Sequence, residues 1–210
     1  MLKTNIEPSL KNSELTPVTA MIAELVRCYW ILGMECSLLE IQKLAWFLER
    51  SIKQFIPNDD PLDLQFVAHK YGPYAHRLTH LLNNLDGSYL HCDKRIGDAD
   101  PLDVIWFNDT RKSYLQTYLK TLAATYLLAL EATTALIDGF ESPFGMELLA
   151  TVDWLIYKEG VEPTVLAVQE GLKKWPAGAS AANRKNKLFD ERAISIALER
   201  LTSSSVTATG

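Results

Sequence analysis

The sequence is short of the residues that usually announce chemistry. Its ten glycines are scattered along 210 residues. They form no G-x-G-x-x-G and no P-loop, so no backbone cradle for a pyrophosphate is written in the chain, and neither a G-x-S-x-G elbow nor HExxH is present. Cysteine is scarce: Cys28, Cys36 and Cys92 are odd in number and lack CxxC spacing, which predicts reduced thiols rather than a disulfide frame or a zinc site. No stretch approaches the roughly 20 apolar residues of a membrane span, and the N-terminus MLKTNIEPSLKNSELTP has no signal-peptide core. A cytoplasmic protein with no membrane partner is expected. Basic charge is also in deficit, with 21 Lys and Arg against 26 Asp and Glu and a net charge of -5. That balance argues against a phosphate backbone as the main partner.

What the chain does have is enough apolar residues, 48% of the total, for one core, or one core and a small module. Residues 1–15 read as a polar tail or linker remnant. Thr16 and Pro17 read as cap and first position of a helix with Met21, Leu25, Cys28, Tyr29 and Leu32 on its face, ended by Gly33. Ser37 to Glu40 is a capping box opening a helix through Ile41, Leu44, Ala45 and Leu48. The alternation of Leu62, Leu64, Phe66 and Ala68 predicts an edge strand, and Lys70-Tyr71-Gly72-Pro73-Tyr74 turns it into a helix opened by Pro73. Tyr89 to Phe107 reads as two short strands around Gly97 to Pro101. Thr110 to Asp138 reads as one long, central helix. Ser142 and Pro143 cap and open a helix from Met146 to Tyr157, another starts near Pro163, and a last runs from Asp190 to Leu201. The expected fold is a mainly helical α+β bundle with a small antiparallel sheet. Its parts are a helical domain over 16–138, a winged-helix-like three-helix module over 139–201 packed on it, and a disordered tail over 202–210.

Four groups of residues carry potential chemistry. His76 and His80 share a helical face, with His69 and His91 as further candidates, but no acid or thiol stands at a matching position, so no metal and no cofactor is expected. Asp59, Asp60 and Asp63 lack calcium-loop spacing. Lys173, Lys174, Arg184, Lys185 and Lys187 flank Trp175 and would meet phosphates in a winged-helix protein, which makes direct DNA binding the secondary reading. Opposite in sign, Asp86, Asp93, Asp98, Asp100, Asp103 and Asp109 outnumber Lys94 and Arg95, with Tyr89, Trp106 and Phe107 between them. Carboxylates in such a row can imitate phosphates, and the aromatics can stand where bases would stack. A dispersed enzyme site would draw on His76, His80, Asp86 and Glu141.

Three stretches carry a family resemblance. They are Ser37 to Leu44 with Trp46-Phe47, Lys70 to Ala75 leading to Leu78, His80 and Leu81, and Gly139-Phe-Glu-Ser-Pro-Phe-Gly-Met-Glu-Leu-Leu-Ala-Thr-Val152 with Trp154. Asp86 to Leu90 and Lys185 to Phe189 add to them. In order and spacing these resemble the C-terminal region of DarG antitoxins, over about residues 17 to 201. In that family an N-terminal macrodomain removes ADP-ribose from DNA, while the C-terminal region binds and blocks the toxin DarT. The resemblance therefore implies a DarT-binding protein without a catalytic site, acting by occluding the toxin's single-stranded-DNA groove through mimicry. The surface expected to do so is Asp86, Tyr89, Asp93, Asp98, Asp100, Asp103, Trp106 and Asp109, helped by Asp59, Asp60 and Asp63. The motif residues Lys70, Tyr71, Gly72, Pro73, Tyr74, Phe140, Glu141, Ser142, Pro143, Phe144 and Gly145 are expected to serve as turns and caps. The rival is a DNA-binding transcriptional regulator using the C-terminal helices.

Overall fold

A computed structural model describes residues 15–206. The first helix, α1 (Pro17–Ile31), is started by a capping box in which Thr16 and Thr19 satisfy each other's amides, and it stops where Gly33 takes a φ of +71°. The second, α2 (Leu38–Phe55), begins on the Ser37 to Glu40 box: the Glu40 amide donates to Ser37 Oγ at 3.3 Å, and the Ser37 amide donates to Glu40 Oε2 at 2.8 Å. α2 is the centre of the molecule, with Ile41, Leu44, Trp46, Phe47 and Leu48 all buried.

Around α2 stand α5 (Leu127–Ile137) and α6 (Pro143–Tyr157), and α9 (Glu191–Val206) packs on α6. The Thr133 hydroxyl on α5 donates to Ser51 Oγ on α2 at 3.0 Å, a buried polar tie between two apolar faces. Ser142 caps α6 by accepting from the Gly145 amide at 3.0 Å, with Pro143 at the first position. Gly145 is forced by space: a Cβ there would stand 2.5 Å from the carbonyl oxygen of Phe140.

The small sheet joins β1 (Cys36–Ser37), β4 (Leu90–His91) and β5 (Val104–Phe107) in the order β1-β5-β4, all antiparallel, with Cys36 opposite Ile105 and Leu90 opposite Phe107. Ile105 and Phe107 face the core, while Val104 and Trp106 alternate outward half-buried. This mainly helical α+β arrangement is the one the sequence pattern predicts.

Several local expectations are corrected. The alternation at 62–68 is not a strand along its length. Asp63 and Gln65 sit at φ of 40° and 54°, so the chain bends at every second residue and tucks Leu62 and Leu64 into the core. Only β2 (Val67–His69) is extended, and it pairs with β3 (Gly72–Tyr74) in a hairpin. Pro73 lies in that strand and opens no helix; α3 (His76–Leu85) starts after Ala75. The long helix from Thr110 is two, α4 (Lys112–Thr121) and α5, because the chain turns at a buried Ala123 and the Tyr126 hydroxyl is anchored on Asp59 Oδ2 at 2.6 Å. After α6 come α7 (Val165–Lys173), the unforeseen α8 (Ala179–Leu188) and α9. Among the described residues beyond 139 there is no strand to serve as a wing. Leu15, placed by sequence in a tail, is buried, and helix α9 continues through Thr202 to Val206. The rest of the two expected tails, 1–14 and 207–210, lies outside the described residues.

Candidate functional site

The stretches that carry the resemblance meet in space. Beneath the β2–β3 hairpin, Lys43 of α2 is 2% exposed and donates from Nζ to the Pro73 carbonyl at 3.0 Å. Beside it, the buried Lys185 of α8 donates to Glu147 Oε1 at 2.9 Å and to Thr151 Oγ1 at 3.1 Å. Arg184 grips both oxygens of the same Glu147 carboxylate and lays its guanidinium 4.8 Å from the Tyr71 ring centroid. Gly72, at φ +96°, comes so near that a Cβ would lie 3.2 Å from Thr151 Oγ1. The tryptophans pack in a row alongside: Trp46 to Trp154 at 5.1 Å between ring centroids, Trp154 to Trp175 at 6.3 Å.

Burial pushes the Lys43 ammonium down to about 7; Glu147 pulls it back upward and Lys185 adds to the fall. Burial likewise lowers Lys185, against the upward pull of Glu147. Lys185 and Arg184 thus bind one carboxylate, and Lys43 lies near enough to feel its charge. The network pins the hairpin to α2, α6 and α8, with Gly72 at a close approach to Thr151. It also removes Lys185 and Trp175 from any phosphate-binding surface, because both are enclosed and the Trp175 indole donates to the His69 carbonyl at 2.9 Å. Sequence reading had treated these basic residues as one exposed group. The signal that separates them is the spacing of Lys185 and Phe189, four apart on the inner face of α8 and its end.

The acidic segment is built differently. It descends from the end of α3 through β4, crosses a 3₁₀ turn at Ile96–Asp98, and returns along β5. Asp86 spends one oxygen as an acceptor for the Ile96 amide at 3.0 Å, closing the loop on itself. Asp103 caps the Asp100 amide at 2.6 Å and pairs with Lys94 at 2.7 Å, which holds its carboxyl below the ordinary range. Asp100 also reaches Lys94, at 3.3 Å. Asp93, Asp98 and Asp109 are exposed. Tyr89 differs from its expected place. It is 4% exposed, with Arg111 5.6 Å from its ring centroid, so it offers no open face for stacking. Trp106 is half-buried beside its cross-strand neighbour His91.

An aromatic that sequence reading missed takes the place of Tyr89. The Trp30 indole donates to Asp109 Oδ2 at 3.0 Å, and Trp30 is 44% exposed, next to Ile31 and Leu32 at 58% and 62%. In sequence these three pass for the last turn of an amphipathic helix; only the fold brings Trp30 against Asp109. Asp59 is engaged by Tyr126, Asp60 by Lys53 and Asp63 by Arg77, on other elements. The dispersed enzyme set does not assemble: His76 packs on Tyr74, Asp86 closes the acidic loop, and Glu141 stands near Tyr29. Among the described residues no three of His, Cys, Asp or Glu group to hold a metal, and no helix is long and apolar enough to cross a membrane.

The chain is similar to DNA ADP-ribosyl glycohydrolases. It is 32% identical over 200 residues to the protein of that name from Thermus aquaticus, covering 94% of this chain and 49% of the relative. It is 33% identical over 174 residues to those from Mycobacterium tuberculosis and Mycobacterium bovis, covering 79% of this chain and 44% of each. The chain thus spans about half the length of the curated relatives it matches. No protein-family profile matches it. The expectation that the chain is not an enzyme is corrected by these similarities, because the proteins that match 79–94% of it are named for a glycohydrolase activity. That expectation rested on the scattered glycines and on the resemblance to the C-terminal region of DarG antitoxins.

Proposed function

We propose that this chain works in a DarT–DarG toxin–antitoxin system, and that its part there includes binding DarT and occluding the toxin's single-stranded-DNA groove. The similarity to DNA ADP-ribosyl glycohydrolases supports the system, since removal of ADP-ribose from DNA and its attachment by DarT are opposed reactions on one substrate. The observation that carries the binding role is the acidic surface, where exposed Asp93, Asp98 and Asp109 lie on one loop-and-strand unit with the partly exposed indoles of Trp106 and Trp30. Exposed carboxylates flanked by flat apolar groups present to a basic groove the charge and stacking faces that a single strand presents. Asp86 and Asp103 shape that unit from within, while Tyr89 supports it from the core.

The test is co-purification with a catalytically inactive DarT, with single-stranded DNA as competitor. The expected result is a complex displaced by single strands and weakened about tenfold by Asp93→Lys with Asp98→Lys, two exposed positions whose reversal breaks no internal bond. A complex indifferent to both the competitor and the reversals would refute the mimicry.

A further inference from the structure

We infer that α1 and α5 hold open a docking groove for a basic amphipathic helix of a partner protein, separate from the acidic unit and independent of whether that unit meets DarT. A groove of about 620 Å³ runs between these helices. Its floor is apolar, made by Leu119 of α4 with Leu127 and Leu130 of α5, and the half-buried Cys28 lines the α1 side. Its charged lining is of one sign: among the described residues Glu24, Glu131 and Asp138 line it and no cation does. Glu24 is held by Arg27, whose Nε donates to it at 2.7 Å. Glu131 and Asp138 are exposed and have no ionic partner among the described residues.

The composition of α5 calls for a cover. Glu131, Thr133 and Thr134 are its only polar residues, and a helix apolar on every side is normally enclosed, yet Leu128 is 61% exposed and Ala135 is open beside it on the same face. On the α1 side, the exposed Ile31 and Leu32 stand three and four residues beyond Cys28 and prolong the wall. Charge selects a cationic cover. Besides the carboxylates, α5 has no basic residue in its last turn, so the negative end of its dipole adds to Asp138. Arg200 of α9 reaches the Ala135 carbonyl at 2.9 Å but does not line the groove. Spacing selects a helix. Glu131 and Asp138, seven residues apart, are separated by about 10.5 Å along the α5 axis. A partner helix with cations seven apart repeats that distance and sets apolar side chains between them over the leucine floor. An extended strand does not, because residues on one of its faces fall about 7 or about 13 Å apart.

The test uses the whole chain and a labelled amphipathic peptide of about 15 residues, with lysines seven apart beside a leucine face, a copy carrying glutamate for lysine, and a copy broken by a central proline. Fluorescence anisotropy reads binding. Labelling by N-ethylmaleimide, followed by mass spectrometry, reads where the peptide sits, since Cys28 lines the groove and the partly buried Cys92 does not. The lysine peptide is expected to bind, and at about ten times its Kd to slow the labelling of Cys28 about tenfold while leaving Cys92 unchanged. Glu131→Lys with Asp138→Lys should weaken binding at least about tenfold, and unchanged thermal melting of that variant rules out unfolding as the cause. No binding, equal binding of the glutamate or proline peptide, unprotected Cys28, or affinity unmoved by the reversals would overturn the inference. So would protection of Cys28 that rises with the concentration of the chain alone, which would give the groove to a second copy. The Asp93→Lys, Asp98→Lys chain should bind the peptide as the native chain does, which separates failure here from failure of the DarT reading.

Discussion

Replacing Lys43 by methionine should make the protein more stable near neutrality and less so in alkali, and the size of the crossover follows from the site. Lys43 is enclosed between α2, the hairpin and α6, and its ammonium titrates at about 7 instead of 10.5. A folded-state value depressed that far costs ~5 kcal/mol when the group is charged in both states. The cost is absent above the unfolded value, grows as pH falls from about 10.5, and is complete below the folded value of about 7. About 4 kcal/mol of it is present at pH 7 and about 1 at pH 10. Methionine keeps the volume and removes the charge, but leaves the Pro73 carbonyl without its 3.0 Å donor, a loss of ~1–3 kcal/mol that does not depend on pH. The native chain should therefore gain ~3 kcal/mol on the variant between about pH 7 and pH 10. Urea unfolding followed by tryptophan fluorescence measures this, as a change of about 1.5 M in the gap between midpoints for an m-value near 2 kcal/mol/M. Parallel stability curves over that range would show that Lys43 is charged in the fold, and the account of the buried network would fall.

Glu147→Gln removes the carboxylate that Lys185 and Arg184 share, and should cost about 3–5 kcal/mol because the buried Lys185 ammonium is left without its counter-charge. Thermal denaturation should show a fall of about 10 °C, and a fall under about 2 °C would contradict it. Gly145→Ala should destabilise by ~1–3 kcal/mol, since its Cβ would press on the Phe140 carbonyl at 2.5 Å. Gly97→Ala is the control, because its Cβ would meet only the movable amide of Asn83 at 2.9 Å, and equal effects at the two glycines in chemical denaturation would refute the steric argument.

The starts of α1, α2, α6 and α7 were legible in the sequence because their caps are local. Thr16, Ser37, Ser142 and Thr164 each satisfy an amide three residues on, and that reciprocity depends on no distant contact. The segment from Leu62 to Ala68 was misread because a period of two has two causes. A pleated strand gives it, and so does a chain that enters the left-handed region at Asp63 and Gln65. The helix over Thr110 to Asp138 was misread because Leu122 and Leu128, though apolar, are 72% and 61% exposed, so composition gave no mark of the turn between them. At the candidate site, the aspartates were legible as a charge run, but their roles were not. Which carboxylate closes a loop, as Asp86 does, and which stays open, as Asp98 does, depends on amides ten residues away. Trp30 was beyond sequence reading altogether, since its partner Asp109 is 79 residues on.

Glu147 gives the molecule a dependence that runs against its chain order. The carboxylate sits on α6, in the interior, and the cations that make it tolerable arrive later, on α8. A chain shortened before residue 179 would hold a naked charge in an open trough, and the hairpin above it would lose the arginine that Tyr71 leans on. The last helices are therefore no removable annex: the middle of the protein cannot settle until its end has been made.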